Sequence, residues 1–544
     1  MTKKNITERT RRCVLVITLA ISVQGIFAQN ELDAYRFSFQ GITGTARSQA
    51  MGGAFSAVGA DFSATSLNPA GLALYKKSEL SLSPTYRVAT TKSNFIGENI
   101  PGISRSTFGF SQLGCVIRGS TGKSSDIVSY SIGVGYNQLE NYNRKIDALA
   151  YNPYNSITDW FATEAGRRNP TELNDNYDNP NDVAALAYQT YTINPLDSLD
   201  PLFAQQSYFG TAYNGRVHQQ YNRVESGRIN DWNISFAGNW YDKLYIGAGL
   251  GIMGIKYTTE ISTWERDTDN NYRYETDSLG FKSLNLYEEL ATSGMGINGR
   301  LGVIYQPTDF IRAGFSIVSP TIFNLKDKYT REIEQNFDTQ IQTHDGPKSK
   351  IVQQSAEGVS DWQLITPFRL TLGAAGFIAK QAVVSADFEL IDYSGSRLSD
   401  QSGSYSYKQE NDNIKNLFQT GYSFRFGAEY RLGTVYFRGG TAFITSPLNS
   451  GALRYQDFKT NEVRSSKGRK QAFTGGVGYR TESFFIDFAA VLTKYTDKFT
   501  IYSVPDSYFA QGKGISPYVI NDRAMLSFTV SVGFRFGSYS EQNE

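Results

Sequence analysis

Two cysteines, two histidines and five tryptophans stand among 544 residues, and charged residues make up only 19%, against about 25% in a typical soluble domain. Lys and Arg (53) balance Asp and Glu (52) to a net charge of +1. That balance excludes the concentrated cationic face a nucleic-acid binder needs. No H-E-x-x-H, G-x-S-x-G or C-x-x-C motif occurs, so the residues of zinc-protease, serine-hydrolase and dithiol chemistry are missing in their usual spacing. The strongest apolar run, 13–23 (CVLVITLAISV), has eleven residues, whereas a helix needs about 20 to cross a bilayer. A helical membrane protein is thereby excluded. What is abundant is aromatic or small: 35 Tyr, 35 Phe and 50 Gly, at a mean hydropathy of −0.37.

The first 28 residues read as an export signal. Lys3, Lys4, Arg9, Arg11 and Arg12 precede the apolar run, which ends in GIFAQ with Ala28 as the small residue before the cut. Cys13 opens the run instead of following it, so no lipid attachment is expected there. Cleavage leaves Cys115 alone. An exported chain of this size without disulfides has to be held by something else, and a large closed sheet serves.

Period-2 alternation is the dominant pattern. Leu526, Phe528, Val530, Val532, Phe534 and Phe536 fall on one strand face, with Ser527, Thr529, Ser531, Gly533 and Arg535 on the other. The same pattern recurs at 422–432 and 128–136. Strands are predicted at 78–90, 105–118, 126–138, 230–241, 243–257, 295–306, 309–319, 366–379, 381–393, 422–432, 434–445, 472–481, 483–495 and 524–536, fourteen in all. Most have the length a tilted strand needs to cross a membrane. Tight turns alternate with long connections at 91–104, 139–229, 258–294, 320–365, 394–421, 446–471 and 496–523. Short inner turns and long outer loops characterise outer-membrane barrels, and an even strand count returns both ends to the periplasm. The predicted fold class is all-β, a transmembrane antiparallel barrel of fourteen strands. In 105–118 the phase slips: Phe108 and Phe110 share one parity, Leu113, Cys115 and Ile117 the other, which calls for a bulge or an end effect.

Residues 29–77 do not alternate. Their stretch 44–74, GTARSQAMGGAFSAVGADFSATSLNPAGLAL, is rich in Gly, Ala and Ser with apolar points at Met51, Phe55, Val58, Phe62 and Leu67. That composition suits a plug packed inside a lumen. GTAR-x3-MGGAF-x-AVGAD followed by NPAG (Asn68, Pro69, Ala70, Gly71) resembles the N-terminal hatch of the FadL/TodX family of outer-membrane channels for long-chain fatty acids and other hydrophobic compounds. The resemblance is close over the hatch and architectural over the rest. It implies a hatch at 29–77, a barrel at 78–536 and a periplasmic tail at 537–544, after the signal at 1–28. It also implies capture of a hydrophobic ligand by outer loops, a pocket inside the barrel, a hatch shift involving residues 68–71, and lateral exit at a kink in the third strand, downhill and without nucleotide. Relatives of this Gly/Ala-rich type in Bacteroidetes-like bacteria are often labelled haemin receptors.

Inward Gly133 and Gly135 on the third strand either mark that exit or relieve crowding in the barrel. The long segment 139–229 has helix-like stretches at 156–168, capped by Ser156 or Thr158, and at 181–191. Trp160, Phe161, Leu186 and Tyr188 there either line a capture groove or pack the loop on itself. Parity turns Arg369, Asp387, Glu389, Arg425, Glu429, Arg431 and Arg438 into the lumen. Such charges pair with one another in a polar interior, or one Arg holds a ligand carboxylate by paired hydrogen bonds.

Two G-x-G-x-x-G matches, at Gly249 and Gly294, lie in strands and open no helix, so a dinucleotide site is not expected. Asp267-x-Asp269-x-Asn271 starts like a calcium loop, but Tyr272 and Ser278 stand where Gly and Glu are required. No cofactor, metal site or enzymatic activity is expected. The expected partners are a hydrophobic small molecule and outer-membrane lipid, with the chain acting as a monomer in a Gram-negative outer membrane. The readings carried forward are passive uptake of hydrophobic compounds, haemin binding through His218, His344 or a tyrosine, and a surface adhesin built on a plugged barrel.

Overall fold

The computed structural model describes residues 31–121, 125–195, 208–212, 215–269, 280–379, 381–401, 403, 405–449, 454–456, 463–465, 468–502 and 516–537. The expected signal at 1–28, the tail beyond Gly537, and Asn271, Tyr272 and Ser278 of the calcium-like loop lie outside the described residues.

Fourteen strands form one closed antiparallel sheet: β1 (Ser78–Phe95), β2 (Glu98–Ser120), β3 (Ile127–Asn141), β4 (Val217–Trp240), β5 (Leu244–Arg266), β6 (Phe281–Thr308), β7 (Ile311–Val318), β8 (Arg369–Ile378), β9 (Ala382–Asp392), β10 (Thr420–Leu432), β11 (Val435–Ile444), β12 (Lys470–Arg480), β13 (Phe484–Thr500) and β14 (Tyr518–Phe536). Each pairs with the next, and β14 returns to β1 from Ser78↔Phe536 to Phe95↔Val519. Every predicted strand overlaps one of these. Closure satisfies backbone groups that hydrocarbon could not.

Alternation sorts the two faces. Trp232, Ile234 and Phe236 on β4, Ile246, Leu250 and Ile252 on β5, and Met295, Ile297, Leu301 and Tyr305 on β6 are exposed. Between them Asp231, Asn233, Ser235, Asn298 and Arg300 are buried. The register aligns Trp240–Leu244–Tyr305 at one edge of the apolar belt and Trp232–Ile252–Ile297 at the other. That separation is about 27 Å along the strand at ~3.4 Å per residue. A tilt of about 40° reduces it to roughly 20 Å along the barrel axis, close to the apolar band of such barrels. No helix among the described residues is long and apolar enough to cross a membrane.

The predicted long connections are partly sheet. β1 and β2 continue through 91–104 to a two-residue turn at Ile96 and Gly97, both with positive φ (48° and 81°), as a hairpin turn matched to strand twist requires. β5 and β6 run beyond the belt, and 320–365 holds the strands Ile322–Thr343, Gly346–Gln354 and Gly358–Ile365. Outward residues there are polar (Lys256, Glu260, Asn324, Lys326, Lys328), so the lipid-facing half of the alternation stops while the strands continue.

The phase slip in β2 is a bulge. Ser83 pairs with Gln112 and Pro84 with Phe110, leaving Ser111 between them. Ser111 and Gln112 both point inward and are fully buried, which transfers the outward set from Phe108 and Phe110 to Leu113 and Ile117.

The segment 139–229 builds a cap from the strand Arg144–Asn152 and the helices α4 (Ile157–Ala165), α5 (Pro170–Asp175) and α6 (Val183–Gln189). The predicted cap residue Ser156 starts α4 in a capping box with Asp159. The N–H of Ile157 donates to Glu265 of β5 at 2.7 Å, which ties the cap to the wall.

Candidate functional site

Residues 31–77 carry α1 (Glu31–Ser38), α2 (Ala46–Ala50), α3 (Ala64–Leu67) and a 3-10 turn at Pro69–Leu74, and they pack against inward side chains around the barrel. The lower part is held by charge. Arg47 meets Glu429 in a bidentate pair (2.9 and 2.8 Å). Glu429 also accepts from Arg438 at 2.6 Å, and Arg438 reaches Asp487 at 2.8 Å. Asp387 accepts the backbone N–H of Phe55 and of Ser56, both at 2.9 Å, and the Ser56 hydroxyl at 2.7 Å. Arg300 and Asp231 pair across β6 and β4 at 2.8 Å and bind the Thr65 carbonyl and Ser66 hydroxyl.

Asn68 works in both directions. Its Oδ1 accepts the Ala70 N–H and so caps the 3-10 turn, with Pro69 in the first position where a missing N–H costs nothing. Its Nδ2 donates to the Ser56 carbonyl at 2.7 Å and to Val303 on β6 at 3.3 Å. The wall approaches closely only because it is bare there: a Cβ on Gly302 would lie 1.9 Å from Asn68 Oδ1, and one on Gly247 2.4 Å from the Pro69 carbonyl carbon.

The upper part, residues 31–44, is held by apolar packing and single hydrogen bonds, with buried Phe37 of α1 against Tyr142, Tyr257 and Trp362. Gly41 donates its N–H to the Leu139 carbonyl on β3 at 3.1 Å. The Ser111 hydroxyl on β2 donates to the Gly44 carbonyl at 2.8 Å. Tyr142 donates to the Arg36 carbonyl at 2.8 Å, Arg369 donates to the Ser38 carbonyl, and the Lys470 ammonium sits 3.3 Å from the Phe39 ring centre.

These contacts span a seam. The β2–β3 ladder runs from Ser120↔Ser129 to Gln112↔Asn137 and stops at the bulge. Above it, β2 pairs with β1 and β3 with β4, where the register slips again beside Leu139. Residues 40–44 bridge the unpaired edges from inside, through Gly41 to β3 and Gly44 to β2.

Two cavities flank the upper part. One of about 90 Å³ lies under the cap, between α1 and the wall. It is lined by Leu32, Ile157, Trp160, Ile261, Leu286 and Phe499, with Arg36 and Arg223 on its polar side. The Arg36 guanidinium stands 4.6 Å over the Tyr257 ring and pairs with Asp33. Burial works against its charge, but Tyr257 and Asp33 offset this and hold it above the ordinary arginine range. A second cavity of about 50 Å³ lies beneath, lined by residues 40–44, Leu67, Leu139, Arg369, Glu389 and Arg425. An apolar cavity of about 150 Å³ holds benzene; both spaces are smaller, so a hydrophobic ligand of that size or larger enters as α1, residues 40–44 or the cap moves.

The expected site residues separate on this geometry. Of the four loop residues, Trp160 lines the upper cavity. Phe161 and Leu186 are buried in the cap's own core, and Tyr188 packs on its side, edge-on to Tyr208 at 5.9 Å. Gly133 and Gly135 sit in the fully paired part of the β2–β3 ladder. A Cβ on Gly133 would meet Leu72 at 3.0 Å, and one on Gly135 would meet the Leu113 carbonyl of β2 at 2.3 Å and Phe62 at 2.5 Å, so their bareness relieves crowding within the wall and against the N-terminal segment. Among the lumen charges, Asp387, Glu429 and Arg438 serve that segment, while Arg425 pairs with Glu389 at 2.8 Å beside Arg369. Arg431 is a correction. Parity aims it inward, but it is the penultimate residue of β10, where the lumen opens at the mouth. It is exposed and its guanidinium donates to the Gly433 carbonyl at 2.9 Å.

Arg47, Asp231, Arg300, Asp487, Ser111 and Leu139 escaped the sequence reading. Arg47 had a signal, as the charged residue of the GTAR motif. Asp231 and Arg300 are inward by parity on predicted strands, and the slip in β2 pointed at Ser111.

No family model matches the chain, and no curated protein matches it. Solved structures do. A Pseudomonas aeruginosa FadL homologue is 12% identical over 92% of this chain and 100% of its own, with a TM-score of 0.51. A TodX monoaromatic hydrocarbon channel variant is 14% identical over 91% of this chain and 99% of its own, with a TM-score of 0.50. At such identity the likeness is one of fold, and in fold this chain is a fourteen-stranded transmembrane barrel of the FadL/TodX kind.

Proposed function

We propose that this protein is a channel for passive uptake of hydrophobic small molecules across the outer membrane of a Gram-negative bacterium, after export through its N-terminal signal. In this reading residues 29–77 are a hatch and 78–536 the barrel. The observation that carries the proposal is the β2–β3 seam, bridged from inside by residues 40–44 and adjoined by the lower cavity. A ligand captured beneath the cap beside Trp160 displaces α1, passes to the lower cavity and leaves sideways into the lipid as residues 40–44 withdraw. The exit thus lies just above Gly135, at Ser111 and Leu139. One similar structure is a FadL homologue and the other a monoaromatic hydrocarbon channel variant; with the resemblance of residues 44–71 to the hatch of fatty-acid channels, long-chain fatty acids and aromatic hydrocarbons are the ligand classes to try first. Neither His218 nor His344 lines the cavities, so haemin binding through a histidine draws no support from this site.

A reversible tether tests the gate. A Cβ on Gly41 would lie 3.2 Å from the tip of the Glu140 side chain, so Gly41→Cys with Glu140→Cys, in a Cys115→Ser background and joined through a short bis-thiol linker by reducible disulfides, ties the segment to β3. Uptake of toluene and of a long-chain fatty acid into proteoliposomes should fall when the pair is oxidised and return on reduction. Equal uptake in both states sinks the seam route.

A further inference from the structure

A cationic row stands where the apolar belt ends on the long-loop side of the barrel. Arg228 on β4 and Lys256 on β5 are directly opposite one another, and Ser293 of β6 lies between Lys256 and Lys326 of the strand Ile322–Thr343. All four side chains face outward and are exposed. Like charges directly opposed across a sheet are destabilising, and among the described residues neither Arg228 nor Lys256 makes an ion pair that relieves the repulsion. Lys326, by contrast, has Asp361 at 3.9 Å. Four residues below, the same strands carry Trp232, Ile252, Ile297 and Ile322, roughly 10 Å away along the barrel axis at this rise and tilt. Trp232 packs at a tilt against Tyr136 of β3, ring centres 5.2 Å apart, an amphipathic aromatic pair of the kind that marks a membrane–water interface.

We infer that Arg228 and Lys256, with the Ser293 hydroxyl beside them, form a binding site for the phosphate of an outer-leaflet lipid. The Arg fork and the ammonium take the phosphate oxygens, and the acyl chains lie against the apolar rows beneath. The geometry selects a ligand with both parts: a free anion lacks the apolar contact, and a neutral lipid leaves the two cations opposed. The site lies on the outer wall, away from both cavities. It rests on the long-loop end facing outward and not on what the channel carries, so uptake and lipid retention can fail independently.

Protein purified in an uncharged detergent is mixed with diphosphoryl lipid A, with the same lipid after phosphate removal, or with inorganic phosphate, and retention is read by native mass spectrometry. The wild type should retain the phosphorylated lipid. Arg228→Gln with Lys256→Gln should retain it about tenfold less, as loss of one charge-assisted contact or more implies. Lys415→Gln, exposed on the helix Lys408–Leu417 elsewhere in the molecule, should match wild type. The exchange Arg228→Lys with Lys256→Arg keeps both charges and should restore most binding, which separates a lost site from a lost fold. Equal retention by the double Gln variant, equal retention of the dephosphorylated lipid, or equally tight binding of inorganic phosphate overturns the inference.

Discussion

The two halves of the N-terminal segment touch the same barrel by different means. From Ala46 to Leu74 the strongest contacts are ionic or charge-assisted and largely buried: Arg47 on Glu429, the Phe55 and Ser56 amides on Asp387, Thr65 and Ser66 on the Arg300–Asp231 pair. From Glu31 to Gly44 they are single hydrogen bonds to carbonyls, one of them charge-assisted from Arg369, a ring on an ammonium, and the apolar packing of Ala34 and Phe37. Both cavities and the β2–β3 seam adjoin the second half. A buried charge that loses its partner costs several kcal/mol, whereas a neutral hydrogen bond nets about 1 kcal/mol and a cation–π contact about the same. In the proposed channel the difference assigns roles: the lower half anchors by charge, α1 is held by apolar packing, and residues 39–44 beside the seam are the part that a ligand's binding energy moves first.

The anchor breaks hardest at Glu429. Glu429→Ala leaves Arg47 buried without its carboxylate and takes one of two from Arg438, a loss of about 3–5 kcal/mol by the cost of splitting a buried pair. Urea unfolding in lipid vesicles should shift by that order, and the loosened segment should let a small hydrophilic dye leak through the barrel. An unchanged midpoint together with no leak would mean that the charges hold nothing in place.

Asn68→Ala comes next. It removes the cap on Ala70 and strips partners from the Ser56 and Val303 carbonyls, costing about 1–3 kcal/mol. The same unfolding measurement checks it. Uptake should rise modestly in proteoliposomes, because the anchor yields without the upper contacts being touched.

How far these contacts were legible in the sequence depends on which face carries them. The belt strands announced themselves because lipid demands apolar side chains at every second position, as in 526–536. Above the belt water replaces lipid, and Lys256 or Lys326 no longer reads as a wall residue although its strand runs on. The seam was visible as a broken phase between Phe110 and Leu113, but that its unpaired edges face residues 40–44 is a property of barrel closure. Parity turned Asp387 and Glu429 inward correctly, yet their partners lie 331 and 382 residues away in sequence, beyond any periodicity. Arg431 failed for the opposite reason: parity has no knowledge of where the lumen ends.

The smallest change in stability should give the clearest change in transport. Phe39→Ala removes the ring beneath the Lys470 ammonium, a contact of about 1 kcal/mol, and leaves every ionic anchor in place. Its unfolding midpoint should fall by no more than that loss implies. Its basal uptake of a hydrophobic substrate should rise severalfold, because residues 40–44 follow directly and the seam opens more often. If Phe39→Ala instead destabilised the barrel as much as Glu429→Ala, or left uptake unchanged, the division into anchor and moving part would be wrong. The charge network below would then have to be treated as part of the gate.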